Sequence, residues 1–200
     1  MGMRRTVVLL AVMAAVLVMA SGVALAVARS GGPGDDTLRG TNGTDALEGN
    51  GGNDDLFGLR GTDALSGGKG RDLVLGGNEA RPLLGDRALS GGPGGDFVGG
   101  GKGSDALSGG PGRDGMFAGP PFGETADDVD AISAGGGNDA ILAFNVPAAR
   151  DIIACGGGFD RVLIDSKDVT SDCEREFTRP GAYFESIESP SYDYFAPFYL

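Results

Sequence analysis

Aspartate recurs at intervals of nine residues: Asp36, Asp45, Asp54, Asp63 and Asp72, then, after a break, Asp96, Asp105 and Asp114. Each stands two residues after a glycine and two before a large apolar residue. Carboxylates set among glycine carbonyls form a hard-oxygen donor set, the kind that surrounds a divalent cation such as calcium with about six to eight ligands. Turn formation alone does not account for the pattern, because a turn would accept Asn or Ser in the same place. Acids outnumber Lys and Arg by 28 to 16, for a net charge of -12, which suits cations and argues against nucleic acid or an anionic membrane surface as partners. The chain has no His, so Ser-His-Asp and Cys-His arrangements and histidine zinc sites cannot be built. Lys69 and Lys102 stand in Gly-Lys-Gly without the Ser or Thr and the spacing of a phosphate loop. Glu124, Asp127, Asp128 and Asp130 could supply a carboxylate pair for glycan hydrolysis, but they read better as a solvated acidic loop.

The elements that must position these aspartates follow from the rest of the nine-residue unit. The copies begin at Gly31, Gly40, Gly49, Gly58 and Gly67 and resume at Gly91, Gly100 and Gly109, with degenerate copies at Ala134 and Cys155. Glycine at the first, second and fourth places permits positive φ and close backbone approach, as a tight repeated turn requires. The eighth place holds Leu38, Leu47, Leu56, Leu65, Val74, Val98, Leu107 and Met116, one inward apolar side chain for each short strand. The core is therefore thin.

The unit Gly-Gly-x-Gly-x-Asp-x-apolar-x resembles the hemolysin-type calcium-binding repeat of the RTX family. The resemblance implies an all-β fold, a parallel β-roll in which one coil holds two repeats and residues 18 apart stack at strand spacing. It places Asp36, Asp54 and Asp72 on one edge and Asp45 and Asp63 on the other. Asp96 and Asp114 repeat the arrangement with Asp105 opposite, and Asp139 joins as a later ligand. Stacked carboxylates at about 5 Å repel by roughly 1 kcal/mol in water and roughly 3 kcal/mol at an effective dielectric near 20. Calcium reverses the sign, so ion binding becomes folding energy. Counting the pairs Asp36–Asp54, Asp45–Asp63, Asp54–Asp72 and Asp96–Asp114 gives roughly four well-formed sites.

The phase slips between Gly76 and Ser90, where the slot for Asp falls on Arg87 counted back from Gly91, or on Arg81 counted forward. That coil reads as decayed, with an internal cation in place of calcium and Leu83, Leu84 and Leu89 filling the core. Residues 29–117 thus form the roll proper. Residues 118–175 continue it in degenerate form through Asp130-Ala131-Ile132, Asp139-Ala140-Ile141 and Asp160-Arg161-Val162. Cys155 and Cys173, an even pair in a chain that reads as exported, are expected to form a disulfide; their separation of 18 is one full coil in this geometry. The tail 176–200 holds all four tyrosines and reads as a cap on the last coil, with an adhesive patch as the alternative.

Residues 1–28 read as a secretory signal: Arg4 and Arg5, an apolar run over 7–20, and a cleavage site after Ala26-Val27-Ala28. Retention of 7–28 as a membrane anchor is the alternative. The sequence as a whole reads as a secreted, non-enzymatic calcium-binding protein, with no membrane contact after cleavage. Its role is structural or interactive toward an unspecified extracellular protein or glycan. The alternative is a degenerate hydrolase acting on polysaccharide near Asp128. The N-terminal signal departs from the C-terminal export signal of many family members, so neither that export route nor toxin activity carries over.

Overall fold

In the computed structural model, residues 26–78, 85, 86, 88–119, 129–143 and 149–178 are described. All the regular structure among them is β. Strands alternate between two faces. The first sheet contains β1 (Ala28–Ser30), β3 (Ala46–Gly51), β5 (Ala64–Lys69), β7 (Ala88–Ser90), β9 (Ala106–Pro111), β11 (Ala131–Gly137), β13 (Ile152–Gly158) and β15 (Val169–Ser171), in that spatial order. The second contains β2 (Thr37–Arg39), β4 (Asp55–Leu59), β6 (Leu73–Asn78), β8 (Phe97–Lys102), β10 (Gly115–Phe117), β12 (Ala140–Leu142), β14 (Arg161–Ile164) and β16 (Arg175–Thr178), also stacked in chain order. Every pairing is parallel. The fold is a parallel β-roll of about seven turns.

Register follows the repeat. Leu47 pairs with Leu65 and Leu56 with Val74, each a step of 18. The inward column of the first sheet is Leu47, Leu65, Leu89, Leu107, Ile132 and Ile153; that of the second is Leu56, Val74, Val98, Met116, Ile141 and Val162, with Leu38 half-buried at its start. The period-2 alternation explains why one apolar residue per strand suffices, since its neighbours face outward.

A second inward column lies two residues further on. In the early coils it is glycine throughout, as at Gly49, Gly67 and Gly91. From Ala118 onward it is Ala118, Ala134, Ala143, Cys155 and Ile164, all buried in the same core. The core therefore thickens toward the C-terminal end. There Cys155 and Cys173 form the expected disulfide, with Cα atoms 5.1 Å apart. The coil step at that point is 17, since Ile152 pairs with Val169, and Asp172 in the left-handed region takes up the odd residue.

The two edges of the roll differ. The first seven turns leaving the first sheet for the second, residues 31–36, 49–54, 67–72, 91–96, 109–114, 134–139 and 155–160, all have six residues and keep glycine at the fourth place; the last, from β15 to β16, is shorter. Turns running the other way are regular only at 40–45, 58–63 and 100–105; insertions enlarge 76–86, 118–130 and 143–151. One edge is thus unbroken and the other interrupted. The aromatic tail beyond 178, the acidic residues Glu124, Asp127 and Asp128, and residues 1–25 of the leader lie outside the described residues.

Candidate metal-binding turns

Each turn but the last, which ends on Glu174, ends on an aspartate that enters the following strand; Asp36 and Asp168 are half-buried and the rest are buried, Asp54, Asp63 and Asp114 being fully inaccessible to solvent. The carboxylate does not dangle. One oxygen, Oδ1, accepts the backbone N–H of the aspartate one coil earlier, so the carboxylates form two hydrogen-bonded ladders. On the unbroken edge, Asp36 donates to Asp54, Asp54 to Asp72, Asp72 to Asp96, Asp96 to Asp114, and Asp114 to Asp139, each at 2.8 Å. Asp139 donates to Asp160, and Asp160 closes the file on Glu174 Oε2. On the interrupted edge the file is Asp45, Asp63, Asp86, Asp105, Asp130, Asp151 and Asp168. The structure thus brings Asp36, Asp45, Asp54, Asp63, Asp72, Asp96, Asp105, Asp114 and Asp139 into these ladders, as the spacing predicted.

The reading of the break needs correction. The slot assigned to Arg87 or Arg81 is held by Asp86, which accepts from Asp63 N–H and donates to Asp105. One extra residue stands between Asp86 and Ala88, so counting back from Gly91 lands one place late; Leu89 still fills the core. Arg81 and Arg87 themselves, with Leu83 and Leu84, lie outside the described residues. Five further aspartate rungs, Asp86, Asp130, Asp151, Asp160 and Asp168, and the closing Glu174 were not among the expected ligands. Asp151-Ile152-Ile153 carries the same Asp-x-apolar signature as the regular repeats, and that signature, rather than the phase of nine, is the signal that finds it.

The second oxygen is the informative one. Oδ2 of Asp54, Asp63, Asp72, Asp86, Asp96, Asp114, Asp139 and Asp160 is buried and accepts no hydrogen bond. A buried carboxylate oxygen without a donor is costly, and a run of them in one array calls for a cationic partner. Backbone carbonyls converge on the same place. A Cβ added to Gly109 would fall 2.5 Å from both Asp114 Oδ2 and the Ala134 carbonyl oxygen of the next coil. At Gly100 the corresponding distances are 2.5 Å to Asp105 Oδ2 and 2.6 Å to the Ala118 carbonyl oxygen. Glycine at the first place thus leaves a cradle lined by oxygen. Among the described residues no three carboxylate or cysteine side chains cluster, so a cation here would draw one carboxylate per turn and take its remaining ligands from carbonyls.

The electrostatics agree. Burial pushes the carboxyl of Asp63, Asp96 and Asp139 up to about 6, of Asp86 and Asp114 up to about 7, and of Asp151 up to about 8. In each case the accepted N–H opposes the rise and the carboxylate of a neighbouring coil adds to it. Without a cation these six carboxyls hold their protons to well above the ordinary carboxylate range. Calcium fits this donor set: the oxygens are hard, anionic or carbonyl, and regularly spaced.

A parallel β-roll with carboxylate ladders along both edges defines the class as an ion-binding solenoid. Residues 30–65, 57–80 and 89–120 match the RTX calcium-binding nonapeptide repeat in four copies, so the roll over 30–120 is built from RTX repeats, whose expected ligand is Ca2+. No curated protein and no solved structure matches the chain.

Proposed function

We propose that this chain is an exported calcium-responsive scaffold, whose roll forms when ions enter the gaps between successive turns. The observation that carries the reading is the file of buried Oδ2 atoms with no hydrogen-bond donor. Asp36, Asp54, Asp72, Asp96, Asp114, Asp139 and Asp160 bound gaps between six-residue turns along the unbroken edge, which gives about six ions there, with about one more between Asp45 and Asp63. This exceeds the count of about four drawn from the spacing alone, because the Asp72–Asp96 gap closes across the break and the coils after Phe117 keep the regular turn on that edge.

Calcium supplies the positive charge that the stacked carboxylates lack. The chain's own residues do the rest: glycines hold the turn tight, Oδ1 fixes each carboxylate, and the apolar columns set the coil spacing. Outside the cell, where calcium is abundant, the folded roll presents two long faces to a protein or glycan, and no catalytic group is required of it. Calorimetric titration of the chain lacking residues 1–26 should show uptake of about six to seven ions with a matching gain of β-structure by circular dichroism. Order unchanged by chelation, with no ion uptake, would sink the proposal.

A further inference from the structure

Every rung of the interrupted edge takes an N–H from the coil before it, and the first rung takes it from an unexpected place. Asp45, buried to 2 % exposure, accepts the backbone N–H of Val27 at 2.7 Å through Oδ1. Its Oδ2 accepts the N–H of Thr41. Val27 therefore stands where an aspartate stands in all later coils, with Arg29 opposite Leu47 at the apolar place. The carbonyl of Val27 is used too, accepting the N–H of Ala46 at 2.8 Å. Both backbone groups of Val27 belong to the roll.

This bears on how the leader is removed. A secretory leader is removed by a cut after a small-x-small triad. The triad Ala26-Val27-Ala28 would put the scissile bond between Ala28 and Arg29, inside β1, and discard the residue that serves Asp45 and Ala46. The overlapping triad Ala24-Leu25-Ala26 puts it between Ala26 and Val27, just ahead of the first strand.

We propose that the chain is cut between Ala26 and Val27, and that the freed α-ammonium of Val27 pairs with the Asp45 carboxylate to close the first rung of its ladder. Hydrolysis consumes one water and breaks the Ala26 carbonyl carbon–Val27 nitrogen bond. The carboxylate leaves on Ala26 with the leader, and the nitrogen stays on Val27 and takes up a proton. An amide N–H facing a buried carboxylate becomes a full positive charge in the same place, a stronger partner than the neutral donor. The end of the roll, where no earlier coil among the described residues supplies a carboxylate, is thereby neutralised by the new terminus. The inference rests on the reading of the chain as exported.

The chain is expressed with its leader in a bacterial host, and the first residue of the exported protein is read by mass spectrometry. Val27 first is the expected result; Arg29 first, or an exported chain that keeps its leader, overturns the cut. A chain held inside the cell would instead count against export itself, and a second arm decides the ion pair independently. Chains released from a fusion partner so that they begin at Val27 are melted in calcium with the terminus free or acetylated. The free amine should melt about 2–4 °C higher, the shift expected of one such interaction in a domain of this size. Asp45→Asn should abolish that difference. Equal melting of the free and acetylated forms overturns the ion pair, and absence of any calcium response in either form would count separately against the calcium reading.

Discussion

Gly112 and Gly136 lie in neighbouring turns of the same edge and should respond oppositely to a methyl group. Gly112 has φ +149°, and a Cβ there would overlap the carbonyl oxygen of Gly94 in the coil below. Gly136 has nothing within 4 Å of the same position. Gly112→Ala should cost about 2–4 kcal/mol or prevent the coil from closing, whereas Gly136→Ala should stay within about 0.5 kcal/mol, as thermal melts in calcium would show. The aspartates give a second residue-scale expectation, in pH. The folded values of Asp63, Asp86, Asp96, Asp114, Asp139 and Asp151, about 6 to about 8, lie above the unfolded 3.8, so the metal-free roll binds more protons than the unfolded chain between those limits. Its stability is therefore greatest below about pH 4 and falls as pH rises through about 6 to 8. Circular dichroism in chelator should show more β-structure at pH 4 than at pH 8, and calcium should remove the difference by replacing the protons. A metal-free chain equally ordered at both pH values would contradict this account of the ladder.

At the scale of the coil, the second inward column divides the roll. Coils with Gly49, Gly67 and Gly91 offer one apolar side chain per strand, while those with Ala134, Ala143, Cys155 and Ile164 offer two and are tied by Cys155–Cys173. Each added buried methyl or larger group contributes on the order of 1 kcal/mol. When calcium is withdrawn, hydrogen exchange should therefore rise first in β3 to β6 and last in β11 to β14. Cys155→Ser with Cys173→Ser should cost about 3 kcal/mol, abolishing the late protection of β13 and β14 while leaving the early coils almost unaffected. The Asp-x-apolar signature made most of these strands legible in the sequence. The turn that the break conceals was not, because a single extra residue at Arg87 moves Asp86 out of phase without moving it out of the ladder.

Over the whole molecule the two edges are unequal, and their ion binding should be unequal too. Asp72→Asn or Asp114→Asn, on the unbroken edge, should each remove about one ion from the calorimetric count and raise the calcium midpoint of folding. Asp86→Asn, beside the insertion at 76–86, should leave the count unchanged while altering stability through the ladder alone. Loss of an ion from Asp86→Asn would show that insertions do not interrupt binding. Among the described residues no helix is long and apolar enough to cross a membrane. The outer faces of the sheets also differ. The second sheet carries Phe57, Leu75, Gly99, Phe117, Leu142 and Leu163 in register along one outward file, apolar but for the glycine, with the rings of Phe97 and Phe117 4.8 Å apart. The first carries mostly Ala and Ser in the matching places, as at Ala64, Ser66, Ala106 and Ser108, with Glu48 near one end and Ile152 and Val169 exposed near the other.

The recurrence of the aspartates and the inward column were legible in the sequence by itself, because each is a local consequence of a unit nine residues long, and the parallel roll was legible through that unit's resemblance to the RTX repeat. It also determined that calcium suits them, since oxygen donors with no histidine leave little else. Only the tertiary structure decided which aspartates stack across an insertion, that all the insertions fall on one edge, and that Val27 serves as a rung. Those depend on which strands become neighbours, and a ladder closes on whatever backbone N–H and carboxylate the packed core brings opposite one another, whatever number of residues separates them along the chain.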